Sequence, residues 1–248
     1  MRGSQLRGMK LKASPLMSFR HFWRDSEPEK HFAYRKLIKN GDTIFDIGSN
    51  IGLHSYFFAR NYPNSKVIAF EPLPANVSYI RETLQRNKIA NVELIDSAVG
   101  NKNGVINFDF SLNNSQGFIT NESTGLEVPV ITIDSFIDAQ EVNPDFIKID
   151  VEGAEWKVLE GFRSRITQTM PITIIELHTP ENDKKVAQFF QELPYEILRL
   201  GEMSDCRSGK PFIRIKNLNA TWPDPEGVHG NLVLIPKNKF ENFKDLVN

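Results

Sequence analysis

The chain predicts a doubly wound α/β fold, a mostly parallel sheet with helices on both faces. Two observations carry this. Short apolar runs alternate with stretches at helical spacing, and the runs are apolar throughout, as strands covered on both sides must be. The bulk numbers agree: 248 residues, 40% apolar and 25% charged, suit one large domain with an extension better than two full domains.

From Met1 to Arg24 there are six basic residues and no acid. Residues 1–26 therefore read as a transit peptide or as a basic arm, disordered or packed on the domain; short basic termini are common, which favours the arm. Phe19, Phe22 and Trp23 suggest that its end is anchored on something apolar. Residues 27–248 read as a single domain. "EPEKHFAYRKLIKNG" is a helix stopped by Asn40-Gly41. "TIFDIG" is the first strand, "GLHSYFFARN" its helix, and "KVIAFEP" the second strand. "PANVSYIRETLQRNK" is a helix with Pro74 in its first turn, and "NVELID" the third strand. Residues 101–127 read as irregular hairpin structure around "VINFDF". "FIKID" is the fourth strand, "AEWKVLEGF" its helix, "ITIIELH" the fifth strand and "ENDKKVAQFFQEL" the next helix. "YEILRL" and "NLVLIP" close the chain, separated by a polar loop over residues 200–228.

The formal net charge of −1 hides an asymmetry, because residues 1–40 hold ten Lys/Arg against three acids. The remainder is acidic, which argues against a nucleic-acid partner. A lone Cys206 precludes an intrachain disulfide and fits a reducing, cytoplasmic setting. No apolar run has the length of a membrane span. Oligomeric state is not legible.

Ligands of such folds sit beyond the carboxyl ends of the strands. The ends of the first five strands each carry an acid: Asp46 ahead of Gly48, then Glu71, Asp96, Asp150 and Glu176 ahead of His178. Gly48 and Gly52 let the backbone turn tightly and approach a ligand. Glu71, twenty-three residues after Gly48, is spaced to accept ribose hydroxyls. An open carboxylate at Asp46 would repel a pyrophosphate and welcome an ammonium or sulfonium group. S-adenosylmethionine carries both, and its carboxylate can use the amides opening the first helix. Asp96 is placed for an adenine amino group, with a plain turn acid as the competing reading; Ser97 beside it is the remaining cofactor candidate.

"DIGSNIG", "AFEPLPANVSYI", "SAVGNKNG", "ITIDSFI", "FIKIDVEGAEWKVLEG" and "IIELH", in that order, resemble the FkbM-type family of S-adenosylmethionine-dependent methyltransferases. The match runs over about residues 27–180, and "HGNLVLIPK" resembles the family's closing strand; the first 26 residues and residues 200–228 show none. The resemblance implies a seven-stranded Rossmann-like sheet with an antiparallel last strand, and methylation of a hydroxyl on a sugar or small metabolite. It carries the cofactor role onto Asp46, Gly48, Asn50, Gly52 and Glu71, and sets Asp150 beside the transferred methyl.

A hydroxyl is a poor nucleophile, so a base would help. His178, of ordinary pKa near neutrality, is the first choice, with Glu176 two residues earlier to orient it and Asp150 to position substrate or cofactor. Glu155 reads as a helix-start acid, Glu152 as a tie for loop amides, and Gly153 as a sharp turn. His54 falls between cofactor contact and plain surface, and His229 is a third candidate base. No metal is expected: Asp150, Glu176 and His178 could hold a divalent ion, but a mixed oxygen and imidazole set suits Mg²⁺ or Mn²⁺ only in part. The competing functions are an NAD-dependent dehydrogenase, disfavoured by Asp46 and the missing third glycine, and a non-catalytic binding module, disfavoured by intact Asp46, Gly48, Gly52 and Glu71.

Overall fold

Thr43–Ile47 (β1), Lys66–Phe70 (β2) and Val92–Ile95 (β3) pair in parallel in the computed structural model, which describes residues 8–11, 27–109, 118–120 and 126–248. Ala98–Val99 (β4), Gly104–Asp109 (β5), Phe118–Thr120 (β6) and Leu126–Ile131 (β7) form a separate sheet of four strands, ordered β4-β7-β5-β6. Phe146–Ile149 (β8), Ile172–Glu176 (β9), Tyr195–Leu200 (β10), Phe212–Arg214 (β11) and Asn231–Pro236 (β12) complete the main sheet. Its order is β11-β10-β12-β9-β8-β1-β2-β3.

The main sheet thus has eight strands among the described residues, not the seven that the resemblance implied. The additional strand is β11, three residues inside what reads as a loop. That segment also forms a helix, Met203–Ser208, opened by a reciprocal cap between Glu202 and Asp205. β12 runs antiparallel to both β9 and β10. The hairpin structure expected around "VINFDF" is present, with β5 antiparallel to β6 and β7. The sequence reading also missed the helix Ile133–Gln140, whose N-cap Thr132 accepts from Ser135 N–H. Residues 1–7, 12–26, 110–117 and 121–125, with Phe19, Phe22 and Trp23 among them, lie outside the described residues. Met9 and Leu11 pack against Tyr56, Ile80 and Leu84.

Strand alternation decides which side chains meet. Phe45, Ile47, Ile147, Ile149 and Ile175 point to one face, against the helices Ile133–Gln140, Glu155–Glu160 and Pro180–Gln191. Ile44, Phe146, Ile172 and Ile174 point to the other, against Pro28–Leu37 and Leu53–Asn61. Asp46, Lys148, Asp150 and Glu176 have the parity of this second set. Four charged groups therefore sit on one face, at or just past the carboxyl ends of adjacent strands, under two helices. In register Asp46 lies beside Lys148, and Lys148 beside Ile174.

Candidate active site

The loop after β1 is built around left-handed backbone at Gly48 (φ 77°), Asn50 (φ 52°) and Gly52 (φ 83°). The amides of Gly48 and Ser49 both donate to the Phe70 carbonyl, which ties the loop to the end of β2. A Cβ on Gly48 would lie 1.9 Å from the Asp150 carbonyl oxygen. That close approach is what joins the glycine loop to the end of β8. Gly48→Ala is expected to lose about 1–3 kcal/mol from the backbone conformation alone, with the clash added. Gly153→Ala, also at positive φ (96°) but with its Cβ 3.8 Å from Thr179, should lose only the first part. Denaturant midpoints of the two variants make the comparison; equal losses would disprove the close-approach argument.

Gly52 provides no side-chain cap for the helix Leu53–Asn61, and no acid stands in its first turn. A helix N-terminus of that kind suits an anionic ligand group. Glu71 is buried and accepts from Asn50 N–H (2.8 Å), Leu73 N–H (3.0 Å) and Asn76 Nδ2 (3.1 Å). Of about four acceptor positions on a carboxylate, three are filled. Glu71 can then take one further donor, so two ribose hydroxyls are more than it can serve as it stands. Burial pushes its carboxyl up to about 7, against those hydrogen bonds, which lower it. Asp96, half-exposed, pairs with Arg81 at 2.5 Å, and Ser97 is buried beside it.

Asp46 is not open. It is fully buried, accepts from Ser55 Oγ at 2.5 Å, and faces Lys148 Nζ at 3.3 Å. The expectation that Asp46 meets a ligand's cationic group is corrected accordingly: Lys148 already supplies that charge. Lys148 also donates to the Gly48 carbonyl (2.9 Å) and lies 3.4 Å from Asp150. Burial disfavours its charge, but Asp150, Asp46 and Glu27 outweigh that and raise its pKa.

His178 is held by a different acid from the one expected. Its Nδ1 lies 2.7 Å from Glu155 Oε1, and its Nε2 faces Asp150 (3.7 Å) and Glu152 (3.5 Å). Glu155, fully buried, also accepts from Gly153 N–H at 2.9 Å, so it is more than a helix-start acid. Glu176 does not orient the imidazole; Lys30 Nζ binds its Oε2. The premise of an ordinary His178 pKa falls too. Burial pulls the imidazole down, but the hydrogen bond and charge of Glu155, with Asp150 and Glu152, outweigh it and push it up to about 9. At neutral pH the ring already holds its proton. Asp150, Glu176 and His178 do come together, each with a donor atom within 4.8 Å of the others.

The expected helix Pro28–Leu37 lies above these acids, and sequence reasoning missed its part in the site. Lys30, four residues before Tyr34, reaches both Glu27 and Glu176 while 2% exposed. His54 is buried rather than on the surface, with Nε2 2.9 Å from Glu27 Oε2, and burial lowers its pKa. The Tyr34 hydroxyl is buried without a hydrogen-bond partner among the described residues. His229 lies against the Arg199 guanidinium and the edge of the exposed Trp222, away from these contacts.

A family model for the Methyltransferase FkbM domain matches residues 46–201. Hexuronic acid methyltransferase AglP of Haloferax volcanii is 29% identical over 173 residues, 68% of this chain and 70% of that protein. Methyltransferase 1 of Beauveria bassiana is 24% identical over 175 residues, 60% of this chain and 70% of that one. The crystal structure of Methyltransferase FkbM from Methylobacillus flagellatus superposes with a TM-score of 0.52 at 22% identity. It covers 67% of this chain and 42% of that one, so this chain spans less than half of its length, and at this identity the likeness speaks for the fold alone. No helix among the described residues is long and apolar enough to cross a membrane. With a family model covering most of the chain and the glycine loop, Glu71 and Asp150 set at the carboxyl ends of three adjacent parallel strands, the chain belongs to the FkbM family of methyltransferases.

Proposed function

We propose that the chain transfers the methyl group of S-adenosylmethionine to a hydroxyl oxygen of a sugar or similar small metabolite. The observation that carries this reading is the contact between Gly48 and the Asp150 carbonyl, which brings a cofactor loop against a cluster of acceptor-side acids. The sugar class rests on the hexuronic acid methyltransferase among its relatives. S-adenosylmethionine, when bound, supplies an electrophilic methyl on a sulfonium centre. The residues present fit it: the uncapped amides of the helix Leu53–Asn61 for its carboxylate, the remaining acceptor position of Glu71 for a ribose hydroxyl, and Asp96 with Ser97 for the adenine edge.

On the acceptor side, Asp150 is partly exposed, whereas Asp46 and Lys148 beneath it are buried. Burial pushes the Asp150 carboxyl up, but Lys148, Lys30, His54 and His178 together outweigh it and hold the carboxyl below its ordinary range. Asp150 then serves as an ionised acceptor that aligns the hydroxyl with the methyl group. As the oxygen gains its carbon bond its proton becomes strongly acidic, so even this weak base can take it. His178, already protonated, anchors the loop carrying Glu152 and Gly153.

Calorimetry with S-adenosylhomocysteine and, separately, NAD⁺ tests the cofactor. Glu71→Gln should weaken S-adenosylhomocysteine binding by about tenfold, the value of one charge-assisted hydrogen bond. A pH dependence follows from the raised Glu71 pKa. Binding favours the ionised carboxylate, so affinity should rise as pH increases through about 7 and level off above it. The slope should vanish in Glu71→Gln. Tight NAD⁺ binding without S-adenosylhomocysteine binding would overturn the proposed function.

A further inference from the structure

We infer that Asp150, Glu176 and His178 form a binding site for a first-row divalent cation on the acceptor side of the active site. The three residues offer two carboxylates and one imidazole, with donor atoms all within 4.8 Å of one another. Around a cation with bonds of about 2.1 Å, opposite ligands stand about 4.2 Å apart and adjacent ones about 3.0 Å, so side-chain movements of about 1 Å or less close the set on an ion.

Three further features point to an ion. The first is the imidazole's second nitrogen. A metal-binding histidine nearly always gives its other N–H to a carboxylate or carbonyl, which fixes ring orientation and tautomer. His178 Nδ1 sits 2.7 Å from the fully buried Glu155, leaving Nε2 to face Glu152 (3.5 Å) and Asp150 (3.7 Å). The second is charge. Glu27, Asp46, Asp150, Glu152, Glu155 and Glu176 crowd one end of the sheet, and the Lys30 and Lys148 ammonium groups beside them are too few to balance them. A cation bound at His178 Nε2 takes the place of the ring's second proton, which is released to solvent. Lys30 occupies Oε2 of Glu176, and a carboxylate keeps lone pairs for a cation after one such contact. The third is the Tyr34 hydroxyl, 0% exposed and without a hydrogen-bond partner among the described residues, on which the charges of Glu27, Asp46, Asp150 and Glu176 all act. A buried hydroxyl within reach of the charges of such a cluster suits a water on a bound ion.

Three protein ligands leave three positions of an octahedron for water or for oxygens of the acceptor. Two neighbouring hydroxyls, or a hydroxyl and a carboxylate, of a sugar acid would fill two of them and be drawn to Asp150. This consequence for the acceptor rests on the methyl-transfer reading above; the cation site itself does not. Mixed carboxylate and imidazole ligation suits Mn²⁺, Fe²⁺ or Zn²⁺ better than Ca²⁺. Mn²⁺ binds most weakly of that series and is a conservative probe.

The experiment titrates Mn²⁺ into the chelator-treated chain and follows free Mn²⁺ by electron paramagnetic resonance, with no acceptor or methyl donor present. One saturable site is expected. His178→Asn and Glu176→Gln should each weaken it at least tenfold, and Glu155→Gln, acting through His178, by about tenfold. S-adenosylhomocysteine calorimetry and a melting curve on each variant report folding separately; His178 is partly exposed, so its replacement tests the site even if Glu176→Gln fails to fold. Absence of binding at about 1 mM Mn²⁺, or binding that His178→Asn leaves unchanged, overturns the site. Mn²⁺ binding without S-adenosylhomocysteine binding would instead remove the cofactor reading and leave the cation site standing.

Discussion

Lys148→Met is expected to cost about 3–5 kcal/mol of stability, because it leaves a buried carboxylate without its counter-charge. Lys148 is 3% exposed and Asp46 0%, with 3.3 Å between them. Among the described residues Asp46 Oδ1 has no hydrogen-bond partner and depends on that ion pair, so after the substitution the Ser55 hydroxyl is the one described donor left to the carboxylate. Each kcal/mol moves the midpoint by about 2–4 °C in a chain of this size, which gives a fall of roughly 6–20 °C. Asp46→Asn combined with Lys148→Met removes both charges and should melt above Lys148→Met alone, since the two residues act as a unit. S-adenosylhomocysteine affinity should fall in the single variant too, because Lys148 holds the Gly48 carbonyl of the cofactor loop at 2.9 Å. A single variant that melts within about 2 °C of the parent would show that water, not Lys148, compensates Asp46.

That pair also marks the boundary of what the sequence could tell. The strands were legible because apolar runs in a doubly covered sheet can be little else, and Gly48 and Gly52 because a turn at positive φ selects glycine. β4 and β11, two and three residues long, carry no periodicity, so their pairing was not legible. The partners of the acids were hidden for a different reason. Lys30 and Glu27 read as the solvent face of a helix until that helix is laid over the ends of β8 and β9. Alternation suggested Glu176 as the partner of His178, and parity does place both on one face. Lys30 takes Glu176 first, and the turn at Gly153 brings Glu155 round to the imidazole instead. One signal was present and unused: a lysine between Ile147 and Ile149 in a buried strand requires a counter-ion, and Asp46 occupies the equivalent place in β1.

Asp150→Asn should lower the rate of methyl transfer by about 10²–10⁴-fold, the range of a single positioned proton acceptor, while S-adenosylhomocysteine affinity changes little. The two effects separate because Asp150 meets the cofactor loop through its backbone. Its carbonyl oxygen abuts Gly48 and its amide donates to the Ile47 carbonyl, and neither contact needs the side chain. The carboxylate instead faces Lys148 at 3.4 Å and His178 at 3.7 Å. Asparagine keeps the shape and one carbonyl oxygen but can neither take the acceptor's proton nor offset the charge of Lys148. Lys148 retains Asp46, so the fold should survive and the midpoint should fall by less than in Lys148→Met. The measurement is single-turnover methyl transfer to a uronic-acid sugar, with cofactor binding followed separately. A rate within about threefold of the parent would remove Asp150 from the chemistry. Loss of cofactor affinity by the same factor as the rate would make it a support of the glycine loop, with the acceptor bound elsewhere on the open end of the sheet.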